Sequence, residues 1–243
     1  TGTPRGSITG ESKLFHVGED SELSLGDGIV LTSNNANDTT APALQNEFGT
    51  VNVLEGGFSI TSEANNAIYN HGGTFNGNNI SFTASTGNSG SGAALKLDGG
   101  TVTGLNATVT SGRTDPAILV ADGSVEITGG SYTASGSVNG ALYAGTDRVT
   151  LKGGTFSNAS YSGNAISMLN SFPYIDLLGK GFGYTTNDGT TFLTEDADLK
   201  AASTLTVMPQ SAQSSHTHAV SVNCETTGGT QVAFQALRDM SAS

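Results

Sequence analysis

The stretch LKGGTF at 151–156 has near-copies at 54–59 (LEGGFS), 70–75 (NHGGTF), 97–102 (LDGGTV) and 127–132 (ITGGSY). Glycine pairs ahead of β-branched or aromatic residues mark corners, where backbone turns without a Cβ and then runs on as strand. A second phrase, Ala followed by Leu or Ile, supplies the ruler. It occurs at Ala43, Ala67, Ala94, Ala117, Ala141 and Ala165, at intervals of 24, 27, 23, 24 and 24 residues. A period in this range signals an architecture whose copies bury their apolar faces only by stacking on one another.

Aligned on that alanine, the copies share three apolar columns. The next residue is Leu44, Ile68, Leu95, Ile118, Leu142 or Ile166. Eight positions on stand Val51, Phe75, Val102, Val125 and Val149; fifteen positions on stand Phe58, Phe82, Val109, Tyr132 and Phe156. A weaker copy upstream places Phe15 in the alanine slot, with Leu23, Leu25 and Val30 in or beside the columns. Period-two alternation with frequent Gly, Asn, Asp and Ser reads as short strands and leaves no room for helices. Three strands per copy, stacked about 4.8 Å apart, make an all-β, three-sided parallel β-helix. Seven or eight turns are expected over residues 15–207, after a lead-in at 1–14. The opening TGTPRGS resembles the scar of a cleaved tag and is kept out of the fold reading. Bulky, irregular Phe172, Tyr174, Phe182 and Tyr184 are expected to cap the open core end. Residues 208–243 are expected to form a closing segment or the start of a next module, with a strand at Val220 and Val222 and a short helical piece at Phe234 and Leu237.

Composition narrows the function. Charged residues are only 12% of the 243, about half the usual share. Nine Lys and Arg against 21 Asp and Glu leave a net charge of −12, which repels phosphate backbones and argues against nucleic acid. The single cysteine, Cys224, builds neither a disulfide framework nor a Cys-rich metal site. No apolar run is long enough for a membrane span. With no signal peptide or anchor visible, an excised mature segment is expected.

The Ala-Ile/Leu and Gly-Gly-Thr-Phe copies, followed by LLGKGFGYTTNDGT at 177–190, resemble β-helical repeat regions of large secreted or wall-anchored bacterial surface proteins. The resemblance covers roughly residues 15–207. It implies right-handed coiling, as the general rule for parallel crossovers does, and a cell-surface or secreted location. Such regions commonly serve as adhesins or stalks, while pectate-lyase-like enzymes share the scaffold; the resemblance supplies no catalytic residue.

The candidate binding residues follow from parity. If the residue after the alanine faces the core, the next one faces out, giving Gln45, Tyr69, Lys96, Leu119, Tyr143 and Ser167 on successive turns. Tyr69, Lys96, Leu119 and Tyr143 would form an amphipathic strip able to stack on sugars or anchor a protein. A non-catalytic, extracellular, monomeric binding domain is therefore expected, with a host glycoprotein, immunoglobulin or glycan as partner and no cofactor or metal. Three alternatives stand beside it. Asp98, Asp122 and Asp147 near one corner are candidates for Ca²⁺ or for polysaccharide cleavage, although their offsets of 4, 5 and 6 from the alanine keep them out of one column and Asp is an ordinary turn residue. A passive stalk is the second alternative, since repeats make good spacers. The third is an ice-binding face: Ser81 and Thr83, Thr108 and Thr110, Ser131 and Thr133, and Thr155 and Ser157 resemble the Thr-x-Thr rows of ice-binding β-solenoids. Arg113 with Asp115, and Glu126 with Arg148, are expected to be surface pairs. His216 and His218 with a distant Cys224 do not complete a metal site.

Overall fold

The computed structural model describes residues 6–34, 41–87, 92–112, 114–137, 139–159, 164–169, 177–186, 192–193 and 202–210. The chain divides into a unit Thr1–Gln213, which holds all of these, and a unit Ser214–Ser243, which holds none. Phe172, Tyr174, Arg113, His216, His218, Cys224 and the strand and helical pieces expected beyond 213 lie outside the described residues.

The described residues form a three-sided parallel β-helix. Its first face carries β2 (Phe15–Val17), β5 (Leu44–Glu47), β8 (Ile68–His71), the starts of β11 (Leu95–Ser111) and β12 (Ile118–Ala134), β13 (Leu142–Ala144) and β16 (Ile166–Met168). The second carries β3 (Glu22–Leu25), β6 (Thr50–Val53), β9 (Thr74–Asn76), the middles of β11 and β12, and β14 (Val149–Leu151). The third carries β1 (Ser7–Gly10), β4 (Ile29–Ser33), β7 (Phe58–Ser62), β10 (Phe82–Thr86), the ends of β11 and β12, and β15 (Gly154–Asn158). The second face thus counts six strands, so six turns are complete among the described residues rather than seven or eight. β11 and β12 pair with each other around both corners and run unbroken for 17 residues each.

The core is built from the expected columns. Ala43, Ala67, Ala94, Ala117, Ala141 and Ala165 are buried in one column, and the Leu or Ile after each is buried beside it. Val51, Phe75, Val102, Val125 and Val149 pair in succession on the second face.

Three details of register differ from the sequence reading. Phe15 pairs with Leu44, so it fills the Leu/Ile column rather than the alanine slot, and the first turn is longer than those that follow. On the third face Phe82 pairs with Ala107, and Ala84 with Val109, a slip of two residues from the column that the alanine ruler predicts. A slip of two keeps every side chain on its own side of the strand, so the core survives it. It also splits the aromatic column into two stacks, Phe58 on Phe82 at 4.8 Å and Tyr132 on Phe156 at 4.9 Å. Finally, the five glycine phrases occupy two different corners. Gly72–Gly73 and Gly99–Gly100 lie between the first and second faces, whereas Gly57, Gly130 and Gly154 precede or open third-face strands.

The ends close differently. β1 already pairs with β4 inside the expected lead-in. Beyond β16 the chain reverses. β19 (Thr204–Pro209) pairs antiparallel with β15, β17 (Phe182–Thr185) with β19, and β18 (Phe192–Leu193) with β17. Tyr184 and Leu205 are buried in this cap.

Candidate functional site

The first face places the sequence-predicted residues as the parity rule requires. Gln45 pairs with Tyr69, Tyr69 with Lys96, Lys96 with Leu119, Leu119 with Tyr143 and Tyr143 with Ser167. All four candidates, Tyr69, Lys96, Leu119 and Tyr143, are half-buried, as outward side chains on a close-set ladder are. Tyr69 and Tyr143 stand three ladder steps apart, about 14 Å.

Tyr69 is the most connected of them. The Lys96 ammonium sits 4.6 Å from its ring centre, a cation–π contact that occupies one face of the ring. Its hydroxyl donates to Oδ2 of Asp98 at 3.2 Å and lies 3.3 Å from Nδ1 of His71. Partial burial, followed by the charge and hydrogen bond of Asp98, raises the phenol pKa, so Tyr69 stays a donor at neutral pH.

A recess of about 310 Å³ opens beside Tyr69, Lys96 and Leu119 at the corner where the chain enters this face, with Asn65, Asn66 and Asp115 among its walls. Asn66 Nδ2 donates to the Ala93 carbonyl at 2.5 Å, and Asp115 Oδ2 accepts from the Gly92 N–H at 2.9 Å. These bonds fix the recess between neighbouring turns. A larger recess, about 500 Å³, lies between Leu25, Ile29 and Leu54 with Asp27 and Glu55; it contains none of the sequence-predicted residues.

At the opposite end of the same strands stands Phe48, which the sequence reading passed over. The paired residues Glu47, His71, Asp98 and Asp122 are followed by Phe48, Gly72, Gly99 and Gly123, with φ of 64°, 72°, 88° and 97°. The corner demands a left-handed backbone, which glycine adopts freely. A phenylalanine there is strained by roughly 1–3 kcal/mol. The residue is 56% exposed, so burial does little to offset that strain. The ring lies over Gly72, where a Cβ would meet Phe48 Cε1 at 2.3 Å, and meets the His71 ring edge-on at 5.3 Å. The signal was in the sequence: FGT at 48–50 stands where the next turns have GGT at 72–74 and 99–101.

The acidic candidates are drawn into local pairs. Asp98 and Asp122 do share a column, because the extra residue Ala121 of β12 is absorbed at a register shift; Asp147 is exposed in the turn before β14. Asp98 takes the Tyr69 hydroxyl, and Asp122 pairs with Arg148. Arg148 was expected to meet Glu126, which pairs instead with Lys152. Among the described residues no group of three or more His, Cys, Asp or Glu is placed to hold a metal ion.

The third face also changes under the observed register. Thr9, Thr32, Thr61, Ser85, Thr110, Thr133, Ser157 and Thr204 form one continuous outward row. Ser7, Val30, Ser59, Thr83, Thr108, Ser131, Thr155 and Thr206 form the second. The sequence alignment had begun these rows two residues early, at Ser81.

The fold defines the chain as a β-solenoid of the three-sided parallel class, with chemically distinct outer faces. No protein family, curated protein or solved structure matches it.

Proposed function

We propose that the chain is a non-catalytic extracellular binding domain of a bacterial surface protein, recognising a glycan or the glycan of a host glycoprotein on its first face. The observation that carries this reading is the meeting of Tyr69, Lys96 and Leu119 with the recess walled by Asn65, Asn66 and Asp115. An aromatic ring beside amide and carboxylate groups suits a sugar, which offers an apolar C–H face and a rim of hydroxyls. Asp98 and Asp122 favour binding over cleavage: one is bonded to Tyr69 and the other to Arg148, so neither forms an uncommitted pair for acid–base work. An immunoglobulin partner would engage the same face through Tyr69 and Tyr143.

The test is binding of the purified chain to mucins, matrix proteins, immunoglobulins and glycans, with Tyr69→Ala/Tyr143→Ala alongside. Saturable binding, weakened at least about tenfold in the double variant (~1.4 kcal/mol), is expected. Undiminished binding by the variant would remove the site. Release of unsaturated or reducing ends from a polysaccharide would favour the enzyme instead.

One observation favours a second reading, ice binding by the third face. Fifteen of the sixteen positions in the two rows carry hydroxyls and none is charged. Rows about 6.7 Å apart along the strand and steps of about 4.8 Å between turns present methyls and hydroxyls as a regular array. Thr133→Tyr, an outward change in mid-face, is expected to abolish any inhibition of ice recrystallisation. Absence of that inhibition in the unsubstituted chain would dismiss this reading.

A further inference from the structure

We infer that Phe48 is the anchor of the first-face site and takes the apolar face of a neutral pyranose ring; this rests on the glycan-binding reading and names its ligand class. Three observations meet at this residue. Phe48 stands where the next three turns place glycine, at a φ of 64°. The residue is 56% exposed, so the core does not explain it. And the neighbouring turn supplies a glycine, Gly72, on which the ring rests. A backbone position that selects against side chains thus carries the most exposed large apolar side chain among the described residues. Residues held in disfavoured conformations cluster at binding and active sites.

The surroundings identify what the ring receives. Glu47, His71 and Asp98 form one outward ladder beside it, each side chain about two-fifths exposed, at 41%, 41% and 37%. His16 and Gln45 both bond Oε2 of Glu47, and Tyr69 bonds Oδ2 of Asp98; among the described residues no hydrogen bond is made by Oε1 of Glu47 or Oδ1 of Asp98, the oxygens that would meet a ligand. A protein hot spot needs a dry, apolar surround. Here a single apolar ring is bordered by carboxylates and an imidazole, acceptors and donors suited to sugar hydroxyls. The two carboxylates also select against acidic sugars, and the Lys96 ammonium is held over Tyr69. The rings of Phe48, His71 and Tyr69 follow one another at 5.3 and 5.8 Å, so a bound oligosaccharide would run along the strands from Phe48 towards the Asn65–Asp115 recess.

Phe48→Gly gives the test, because glycine is what the corner prefers. The full chain and this variant are compared for thermal unfolding and for binding to arrayed neutral oligosaccharides ending in glucose, galactose, mannose or N-acetylhexosamine. Unfolding temperature unchanged, or raised by about 2–4 °C, with binding weakened at least about tenfold, is expected; Phe48→Tyr should keep binding. A lower unfolding temperature for Phe48→Gly would overturn the inference by making the ring structural. Wild-type binding that Phe48→Gly keeps would overturn it too, while leaving the first-face site standing if Tyr69→Ala/Tyr143→Ala loses that binding. Binding confined to sialylated or uronic acid glycans would overturn the neutral ligand class. Wild-type binding to a protein stripped of its glycans, with none to the array, would overturn the sugar assignment. Failure to bind any of these probes would overturn the inference together with the reading beneath it.

Discussion

Phe156→Ala should lower the free energy of unfolding by about 3–5 kcal/mol, the largest effect of any single truncation considered. Phe156 is fully buried and stacks on Tyr132 at 4.9 Å, with 14° between the ring planes. On its other side its register partner is Leu205 of the antiparallel cap. Removing the ring leaves a gap between two layers that backbone hydrogen bonds hold at strand spacing, so the walls have little freedom to collapse. The loss of transfer energy and the cavity term therefore add. In thermal unfolding the melting temperature should fall by roughly 2–4 °C for each kcal/mol in a chain of this size. Ser157→Ala, one residue on and facing out, should change stability by less than about 0.5 kcal/mol. Equal effects for the two would contradict the assigned facing.

Gly100→Ala should cost about 2–4 kcal/mol, whereas its neighbour Gly99→Ala should cost only about 1–2 kcal/mol. Both have positive φ, 76° and 88°, so both substitutions strain the backbone. They differ in what a methyl would meet. At Gly100 a Cβ would lie 2.0 Å from the carbonyl oxygen of Gly73, and at Gly99 the nearest atom is 3.4 Å away. The Gly73 oxygen is also fixed by the N–H of Thr101 at 3.1 Å, so relief of the clash breaks a ladder bond. Gly99 shares the column of Phe48, where one turn already carries a side chain. Denaturant titration should show a lower midpoint for Gly100→Ala with an unchanged slope. A Gly99→Ala variant as unstable as Gly100→Ala would show that φ, not crowding, governs this corner.

These two substitutions also show how far the sequence could be read. The period of the Ala-Leu/Ile phrase was enough for the coil, the second-face column and the outward ladder of Tyr69, Lys96, Leu119 and Tyr143, because period-two alternation survives in a stacked strand. What it could not give was register across a corner. Two residues gained or lost there leave the apolar pattern intact, so nothing in the pattern distinguished Phe82 over Val109 from the observed Phe82 over Ala107. The same slip hid the continuous hydroxyl rows. Asp98 and Asp122 seemed offset because residues absorbed by irregular pairing are invisible to counting. The recess beside Tyr69 needs residues 50 apart in the chain, Asn65 and Asp115, whose meeting depends on corner geometry. Phe48 was the legible exception, a phenylalanine in a glycine slot. The five glycine phrases occupy two corners, and only against the two phrases of its own corner does FGT at 48–50 stand out from GGT.

The most direct test of a sugar-binding first face is a binding isotherm for the full chain on one immobilised mucin-type glycoprotein, before and after enzymatic removal of its glycans. Saturable binding that disappears with the glycans, and that Tyr69→Ala/Tyr143→Ala also loses, is the expected result. Binding that is unchanged by deglycosylation, or no binding to either form, would contradict it.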